Sequence, residues 1–304
     1  EALRQNTTGA SNSAYGLYSL LTNTTGANNV AVGEQALYAN TTASYNTGVG
    51  YLALTANTTG TQNVAMGSGA LDANTTGDFN VAVGNNALGA NTTADSNTAV
   101  GRDALLLNTT GSHQTASGFE ALATVATTSF NTAYGSQALK VAVADSCVAV
   151  GAQSLVACTS GAGNTAVGRD SMGATTTGAN NVAVGKSALY ANTTGASNTA
   201  VGLNSLDANT TGGQNVALGD NALGANTTAD YNTAVGTSAL LRNTTGTQNV
   251  AIGAFTLDTN TTGNYNTALG YQALRVNTTA ANNTGVGYKA LVANTTGTGN
   301  TAVG

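Results

Sequence analysis

The two cysteines are the residues of this 304-residue chain best suited to covalent chemistry. Cys147 and Cys158 each replace an asparagine that otherwise recurs at a fixed interval, and their positions flank the same turn in neighbouring repeats. A disulfide needs a Cα separation of about 4.4–6.8 Å. Two interpretations stay open, a disulfide, which would favour an oxidising location, or two separate thiols.

The titratable residues are not arranged for catalysis or metal binding. His113 is the only histidine and has no acid and nucleophile beside it, which predicts a surface residue. Acidic residues such as Asp72, Asp78 and Asp207 occupy variable positions and match no calcium-binding loop. We therefore expect no enzymatic activity, no metal and no cofactor.

Aromatic residues recur at two variable positions of the repeat. Exposed rings can stack on sugar faces, and rings at such positions could equally fill gaps between chains. The candidate glycan contacts are Tyr45, Tyr51, Tyr231, Tyr265, Tyr271 and Tyr288.

The composition excludes two classes of partner. Charged residues make up 7% of the chain, the net charge is −5, and only eight residues are Lys or Arg. So few scattered cations cannot form a basic surface for nucleic acid. No apolar run approaches the roughly 18 residues that span a bilayer, so we expect no membrane insertion of this segment.

All of these residues belong to a 17-residue repeat that runs through the chain. The unit reads N-T-T-G-x-x-N-(V/T)-A-V-G-x-x-A-L-x-A and opens at asparagines such as Asn23, Asn40 and Asn57. About eighteen units cover residues 1–304, and one of them, Val125 to Lys140, is one residue short. This uniformity predicts an all-β parallel β-solenoid, or β-roll, in a single continuous array.

Strand alternation assigns the two faces of each coil. Two short strands per unit are predicted, with a positive φ at the recurring glycine that ends the first strand, as at Gly33, Gly50, Gly67 and Gly84. Large aliphatic residues are predicted to stack inside the coil while the intervening alanine points outward. The predicted core ladder comprises Val32, Leu37, Val83, Leu88, Val184, Leu189, Val235 and Leu240.

The residue between the two outer positions of the first strand is never larger than alanine, as at Ala31, Gly48 and Ala65. Small residues on an outward face suggest that another backbone lies against it, which predicts a parallel homotrimer. The alternative is a thin, flattened coil in which both faces are constrained within one chain.

The two recurring asparagines of each unit are predicted to form ladders that hydrogen-bond across the turn. Fourteen units match the N-glycosylation sequon, although stacked asparagines would be too close for a glycan on each. Residues 112–177 diverge from the consensus, which indicates either a bend or specialised patch or drift in a tolerant array.

The core motif carries a family resemblance. N-T-A-V-G-x-x-A-L, at residues 97–105, resembles the head repeats of trimeric autotransporter adhesins. The longer form with NTTG, around residues 265–279, is similar to arrays that precede endosialidase-type chaperone domains in tail-fibre-like proteins. The resemblance implies a homotrimeric parallel β-roll used for attachment or as a spacer. Two features depart from the resemblance: the 17-residue unit is longer than the repeat typical of adhesin heads, and residues 1–304 include neither a membrane anchor nor a chaperone domain.

The sequence therefore predicts the structural and adhesive shaft of an extracellular or virion fibre. Its expected partners are copies of itself and surface glycans or a host receptor. Because Glu1 and Gly304 fall in mid-coil, we expect a fragment of a longer fibre. The alternatives are an ice-binding or purely structural monomeric solenoid. A carbohydrate-active enzyme would need clustered acids in a groove, which the sequence does not supply.

Overall fold

The computed structural model describes residues 1–141 and 144–304, and the chain forms two compact units, Glu1–Cys147 and Val148–Gly304. Both units repeat one coil, a three-residue strand followed by tight turns. The first unit contains β1 (Ser13–Tyr15), β2 (Val30–Val32), β3 (Thr47–Val49), β4 (Val64–Met66), β5 (Val81–Val83), β6 (Thr98–Val100), β7 (Thr115–Ser117) and β8 (Thr132–Tyr134). The second contains β9 (Val148–Val150), β10 (Thr165–Val167), β11 (Val182–Val184), β12 (Thr199–Val201), β13 (Val216–Leu218), β14 (Thr233–Val235), β15 (Val250–Ile252), β16 (Thr267–Leu269), β17 (Thr284–Val286) and β18 (Thr301–Val303).

Within each unit, every strand pairs in parallel with the next strand along the chain. In the first unit Val30 of β2 stands beside Thr47 of β3, and in the second Thr165 of β10 stands beside Val182 of β11. The register never slips, because equivalent positions of successive coils are partners. The prediction of an all-β parallel β-solenoid with a repeat of about 17 residues is confirmed.

The inner face of each strand holds alanine, not valine. Ala31 is 0% exposed, whereas Val30 and Val32 on either side of it are 36% and 38% exposed. A Cβ atom placed on Gly48, the next equivalent of Ala31, would lie 3.2 Å from the Ala53 carbonyl oxygen and 3.4 Å from Leu37 Cγ. The coil is so thin that only a methyl group fits there.

The predicted core ladder is therefore half right. Leu37, Leu88, Leu189 and Leu240 are fully buried, as expected. The prediction was wrong for the valines, since Val32 and Val184 are exposed and Val83 and Val235 only half-buried. Because the alanines face inward, their small size follows from the flattened coil and no longer argues for a trimer.

A tight turn replaces the second strand predicted around A-L. Gln35 has φ 59° and Leu37 has φ 53°, and the equivalents of Leu37 repeat this left-handed backbone in coil after coil. A left-handed residue other than glycine costs about 1–2 kcal/mol. Full burial of a leucine side chain contributes about 1.5–3 kcal/mol, which offsets the strain.

The recurring glycine forms the corner after each strand. Gly33, Gly50, Gly67 and Gly84 have φ between 133° and 142°, which confirms the predicted positive φ. A Cβ on Gly33 would lie 2.4 Å from the Gly50 carbonyl oxygen, so the stacked corners leave no room for a side chain.

Two ladders of buried asparagines form hydrogen bonds with the backbone and with asparagines of neighbouring coils inside the turn. Asn57 Nδ2 donates to Asn40 Oδ1 of the preceding coil at 3.1 Å and to the Gly60 carbonyl at 2.9 Å. Asn46 Nδ2 donates to the same Gly60 carbonyl at 2.8 Å, and Asn46 Oδ1 accepts from the Asn63 amide at 3.0 Å. The ladders therefore meet mainly at a shared carbonyl instead of bonding directly to each other across the turn.

The asparagine ladders also bear on the glycosylation sequons. The opening asparagines from Asn23 to Asn108 and from Asn192 to Asn277 are fully buried, so the folded coils do not present these side chains to an enzyme.

The divergent stretch 112–177 keeps the coil while losing parts of these ladders. Val125 and Thr175 replace the opening asparagine and are fully buried, and Thr175 Oγ1 has no hydrogen-bond partner among the described residues. The shortened unit shifts the ladder spacing to 16 residues between Asn131 and Cys147. Ala142 and Val143 of the Val141-Ala-Val-Ala stretch lie outside the described residues, and both interpretations of this segment stay predictions.

Candidate functional site

The outer strand face is an uncharged surface that recurs in the coils of each unit. It consists of the first and third residues of every strand, which point away from the alanine between them. Val182 and Val184 of β11 are 38% and 37% exposed, and Ile252 and Leu269 of the third column are also exposed. Among the residues that the structure describes, no strand carries a charged residue.

Threonine and valine alternate along the first column of this face in the second unit. From β9 to β16 the first residues are Val148, Thr165, Val182, Thr199, Val216, Thr233, Val250 and Thr267. The third column is almost entirely aliphatic. Such a surface offers apolar contact and rows of hydroxyl groups, and it contains no acid, base or thiol nucleophile. Apolar contact and hydroxyl groups are the chemistry that this face offers to a binding partner.

No protein-family model and no curated protein matches the chain. The resemblance to adhesin heads and tail-fibre arrays therefore stays an expectation from the sequence, and the function must be argued from the geometry.

The candidate glycan contacts fall into two columns with different surroundings. Tyr45, Tyr231 and Tyr265 lie in the turn before each strand and are exposed. Tyr51 of the first unit and Tyr271 and Tyr288 of the second follow the corner glycine and are also exposed.

In the second column, the rings of Tyr271 and Tyr288 contact each other and neighbouring side chains. The Tyr271 and Tyr288 rings stack at 5.6 Å with an interplanar angle of 14°, and Phe255 meets Tyr271 edge-on at 6.2 Å. Lys289 Nζ lies 5.1 Å from the Tyr288 ring centroid. Neighbouring side chains therefore cover part of the Tyr271 and Tyr288 rings, although Tyr288 remains 68% exposed.

The two cysteines take the places of ladder asparagines in the interior. Both are buried. The Cys147 amide donates to Asn131 Oδ1 at 2.9 Å, and Cys158 Sγ lies 3.4 Å from the Gly161 carbonyl oxygen. The disulfide stays a prediction. Intact mass after alkylation, with and without prior reduction, distinguishes the two interpretations.

Three aspartates at one repeat position have perturbed acidity. Burial raises the pKa of Asp72 and of Asp207, and backbone hydrogen bonds partly offset that rise. Burial also raises the pKa of Asp258, against the opposing charges of Arg275 and Arg242. They lie in separate coils, and the described residues contain no group of three His, Cys, Asp or Glu side chains that could hold a metal ion.

His113 is exposed and its ring stacks on Phe130 at 5.2 Å. The prediction that it is a surface residue is confirmed. In the part of the chain that the structure describes, no helix is long and apolar enough to cross a membrane.

Sequence reasoning missed the exposure of the outer strand face. A signal was present, because the residue before the alanine is valine in some coils and threonine in others, as at Val30 and Thr47. A position that accepts both a hydroxyl and a methyl group is typical of a surface, whereas a position fixed as alanine or glycine is typical of a crowded interior.

Proposed function

We propose that the chain is a non-enzymatic structural and adhesive shaft of an extracellular or virion fibre, and that it assembles as a parallel homotrimer through its outer strand face. The observation that carries this proposal is the uncharged outer strand face of both units, which is largely aliphatic in the second unit and carries only hydroxyl-bearing side chains in β1, β7 and β8 of the first. Extended apolar patches on soluble proteins commonly mark interaction sites.

A second copy of the same chain fits this surface better than an unrelated partner. The face repeats with the rise of one coil, about 4.8 Å, so an identical parallel chain presents matching columns along its length. The alternating first column would place threonine beside threonine and valine beside valine. Neither column contains a charge that would have to be desolvated.

Light scattering of the full chain tests the assembly. We expect a mass near three times 29.7 kDa. The double variant Val182→Lys, Val184→Lys would place six like charges at one level of the trimer and should give monomers. The matched control Thr194→Lys, Thr211→Lys adds the same charge at exposed turn positions and should stay trimeric. A wild-type chain that stays monomeric at all accessible concentrations contradicts the proposal.

Ice binding is the second candidate, and the same face favours it. Regular threonine and valine columns on a parallel ladder could order water, whereas the consecutive threonines of N-T-T point to opposite sides and offer no obvious T-x-T face. This candidate requires the outer strand face to be free. Thermal hysteresis by a monomeric chain would support it, and a trimer without thermal hysteresis would exclude it.

A further inference from the structure

One exposed column of the second unit alternates amide and aromatic side chains. It takes one residue from each of five successive coils, at the position just before the second ladder asparagine. All five residues are exposed, with Tyr231 at 54% and Tyr265 at 57%. This amide–aromatic column consists of Gln214, Tyr231, Gln248, Tyr265 and Asn282.

Hydrogen bonds between coils fix the spacing of the column. The Tyr231 amide donates to the Gly213 carbonyl at 3.2 Å, and the Tyr265 amide donates to the Thr247 carbonyl at 3.2 Å. Gln248 between them is held in the same way by the Asp230 carbonyl at 3.2 Å. Because the two tyrosines are two coils apart, their backbones are separated by about 10 Å along the ladder.

The tyrosines occupy positions where the backbone favours glycine. Tyr231 has φ 60° and Tyr265 has φ 57°, and Gly163 and Gly299 fill the same repeat position with φ 69°. A left-handed backbone is strained for residues other than glycine, and Gln214 and Gln248 of the column share it, each with φ 57°. Among the described residues, neither tyrosine ring stacks on another ring or on a cation, so no aromatic or cationic side chain covers either ring.

We propose that the amide–aromatic column binds an extended β-1,4-linked polysaccharide lying parallel to the coil stack. Successive sugars of such a polymer are flipped, so the same ring face recurs once per disaccharide. The two-coil alternation supplies a tyrosine for one sugar and an amide for the next. The inference rests on the proposed attachment function, and it names the ligand and the residues that would bind it.

A polar side chain held by hydrogen bonds precedes each of the two tyrosines of the column. Asn264 Oδ1, beside Tyr265, accepts from the Thr247 amide at 2.7 Å and from Thr247 Oγ1 at 3.2 Å. Asp230 Oδ1, beside Tyr231, accepts from the Gly213 amide at 2.6 Å. These bonds hold the polar rim in place before a ligand arrives, which limits the ordering entropy of binding.

The first unit repeats the pattern over four coils. Asn28, Tyr45, Gln62 and Phe79 occupy the same position and are exposed. The amide–aromatic alternation ends at the next coil, where Ser96 occupies the position, and in the two coils after it the rings of His113 and Phe130 stack at 5.2 Å. These last two residues provide an internal contrast, since one face of each ring is covered.

Titration calorimetry on the full chain with soluble hexasaccharides tests the proposal. Cellohexaose and N-acetylchitohexaose share the flipped β-1,4 backbone, and comparing them shows whether the acetamido group matters. Maltohexaose has α-1,4 linkages and should not bind. The fourfold variant Tyr45→Gly, Phe79→Gly, Tyr231→Gly, Tyr265→Gly should bind at least about tenfold more weakly, because the stacking rings are lost.

Matched controls separate the column from aromatic content in general. Phe130→Gly removes a covered ring at the same repeat position, and Tyr288→Ser removes an exposed ring outside the column. Both should bind like the wild type. Circular dichroism should show that all of the variants stay folded. The glycine substitutions should be tolerated because Gly163 and Gly299 already occupy the same repeat position.

Each outcome decides the proposal. Absence of binding to both β-1,4 probes overturns it, as does equal binding by the fourfold variant or equal binding of maltohexaose. Light scattering of the same samples keeps the assembly question separate. A trimer that does not bind overturns only the sugar site, and a monomer that binds overturns only the trimer.

Discussion

Ala82, on the inner face of β5, is fully buried, whereas Val81 and Val83 on the outer face of the same strand remain half-buried. The inner face is nearly uniform from coil to coil, whereas the outer face varies among Val, Thr and Ser in its first column and among aliphatic, Ser and Tyr residues in its third. The inner uniformity is explained within one chain, because only a methyl group fits beneath the neighbouring leucine. The β-branched residues of the outer face suit an exposed strand, and strand propensity does not account for the lack of charge among them. The uncharged outer face, and not the uniform alanines, is therefore the better indication of a partner.

The strongest test of this comparison removes one large side chain from each face. Leu88→Ala leaves a cavity in the interior and should lower the free energy of unfolding by about 2–5 kcal/mol. Val83→Ala, in the same coil, should cost about 1 kcal/mol or less when the chain is monomeric. Denaturant midpoints of both variants measure the difference. Equal losses in the monomer would contradict the assignment of the faces.

Enlarging the inner face tests the same assignment in the opposite direction. Ala82→Val overpacks the interior and should destabilise the coil by about 1–3 kcal/mol. Thr98→Val, on the outer face of β6, should change stability by less than about 0.5 kcal/mol. Thermal unfolding at a concentration that gives monomers provides the readout. If Ala82→Val dissociated an oligomer without destabilising the monomer, the alanines would have to face outward.

The asparagine ladder should be the next most sensitive feature of the interior. Asn57→Ala removes the donor to Asn40 Oδ1 and to the Gly60 carbonyl, and should cost about 1–3 kcal/mol. Thr59→Ala, an exposed change in the same turn, is the control and should be nearly neutral. Urea unfolding monitored by circular dichroism separates the two. A neutral Asn57→Ala would show that the ladder contributes no net stability.

The smallest expected effect depends on pH. Burial raises the folded pKa of Asp72 above its ordinary value of 3.8, so the carboxylate opposes folding at neutral pH and this penalty disappears as pH falls below 3.8. Asp72→Asn should therefore raise the melting temperature at neutral pH and have little effect in acid.

Glu120 provides a comparison of opposite sign. Hydrogen bonds from Lys140 and Gln137 lower the pKa of Glu120 below its ordinary value of 4.5. Its carboxylate therefore favours folding at pH values above 4.5. Glu120→Gln should lower the melting temperature slightly at neutral pH, and the difference should vanish as acid protonates the wild-type side chain. Shifts in the same direction for both variants would contradict these assignments.

Much of the coil could be predicted from the repeat alone. A fixed period places equivalent residues in equivalent environments, which determines parallel pairing in register, the glycine corners and the buried leucines such as Leu37. Positive φ at Gly33 followed from its recurrence after every strand. Periodicity does not determine turn geometry, so the left-handed leucine turn was predicted as a second strand.

The sequence by itself determined that this protein is a stack of near-identical coils. Only the tertiary structure decided which side of each strand faces inward. Alternation requires Ala31 and Val32 to point in opposite directions, and it does not say which is inside. The thickness of the coil decides that, because Leu37 occupies the interior and leaves room for no more than a methyl group opposite it. The same thinness places the valines, the threonines and the amide–aromatic column on the surface.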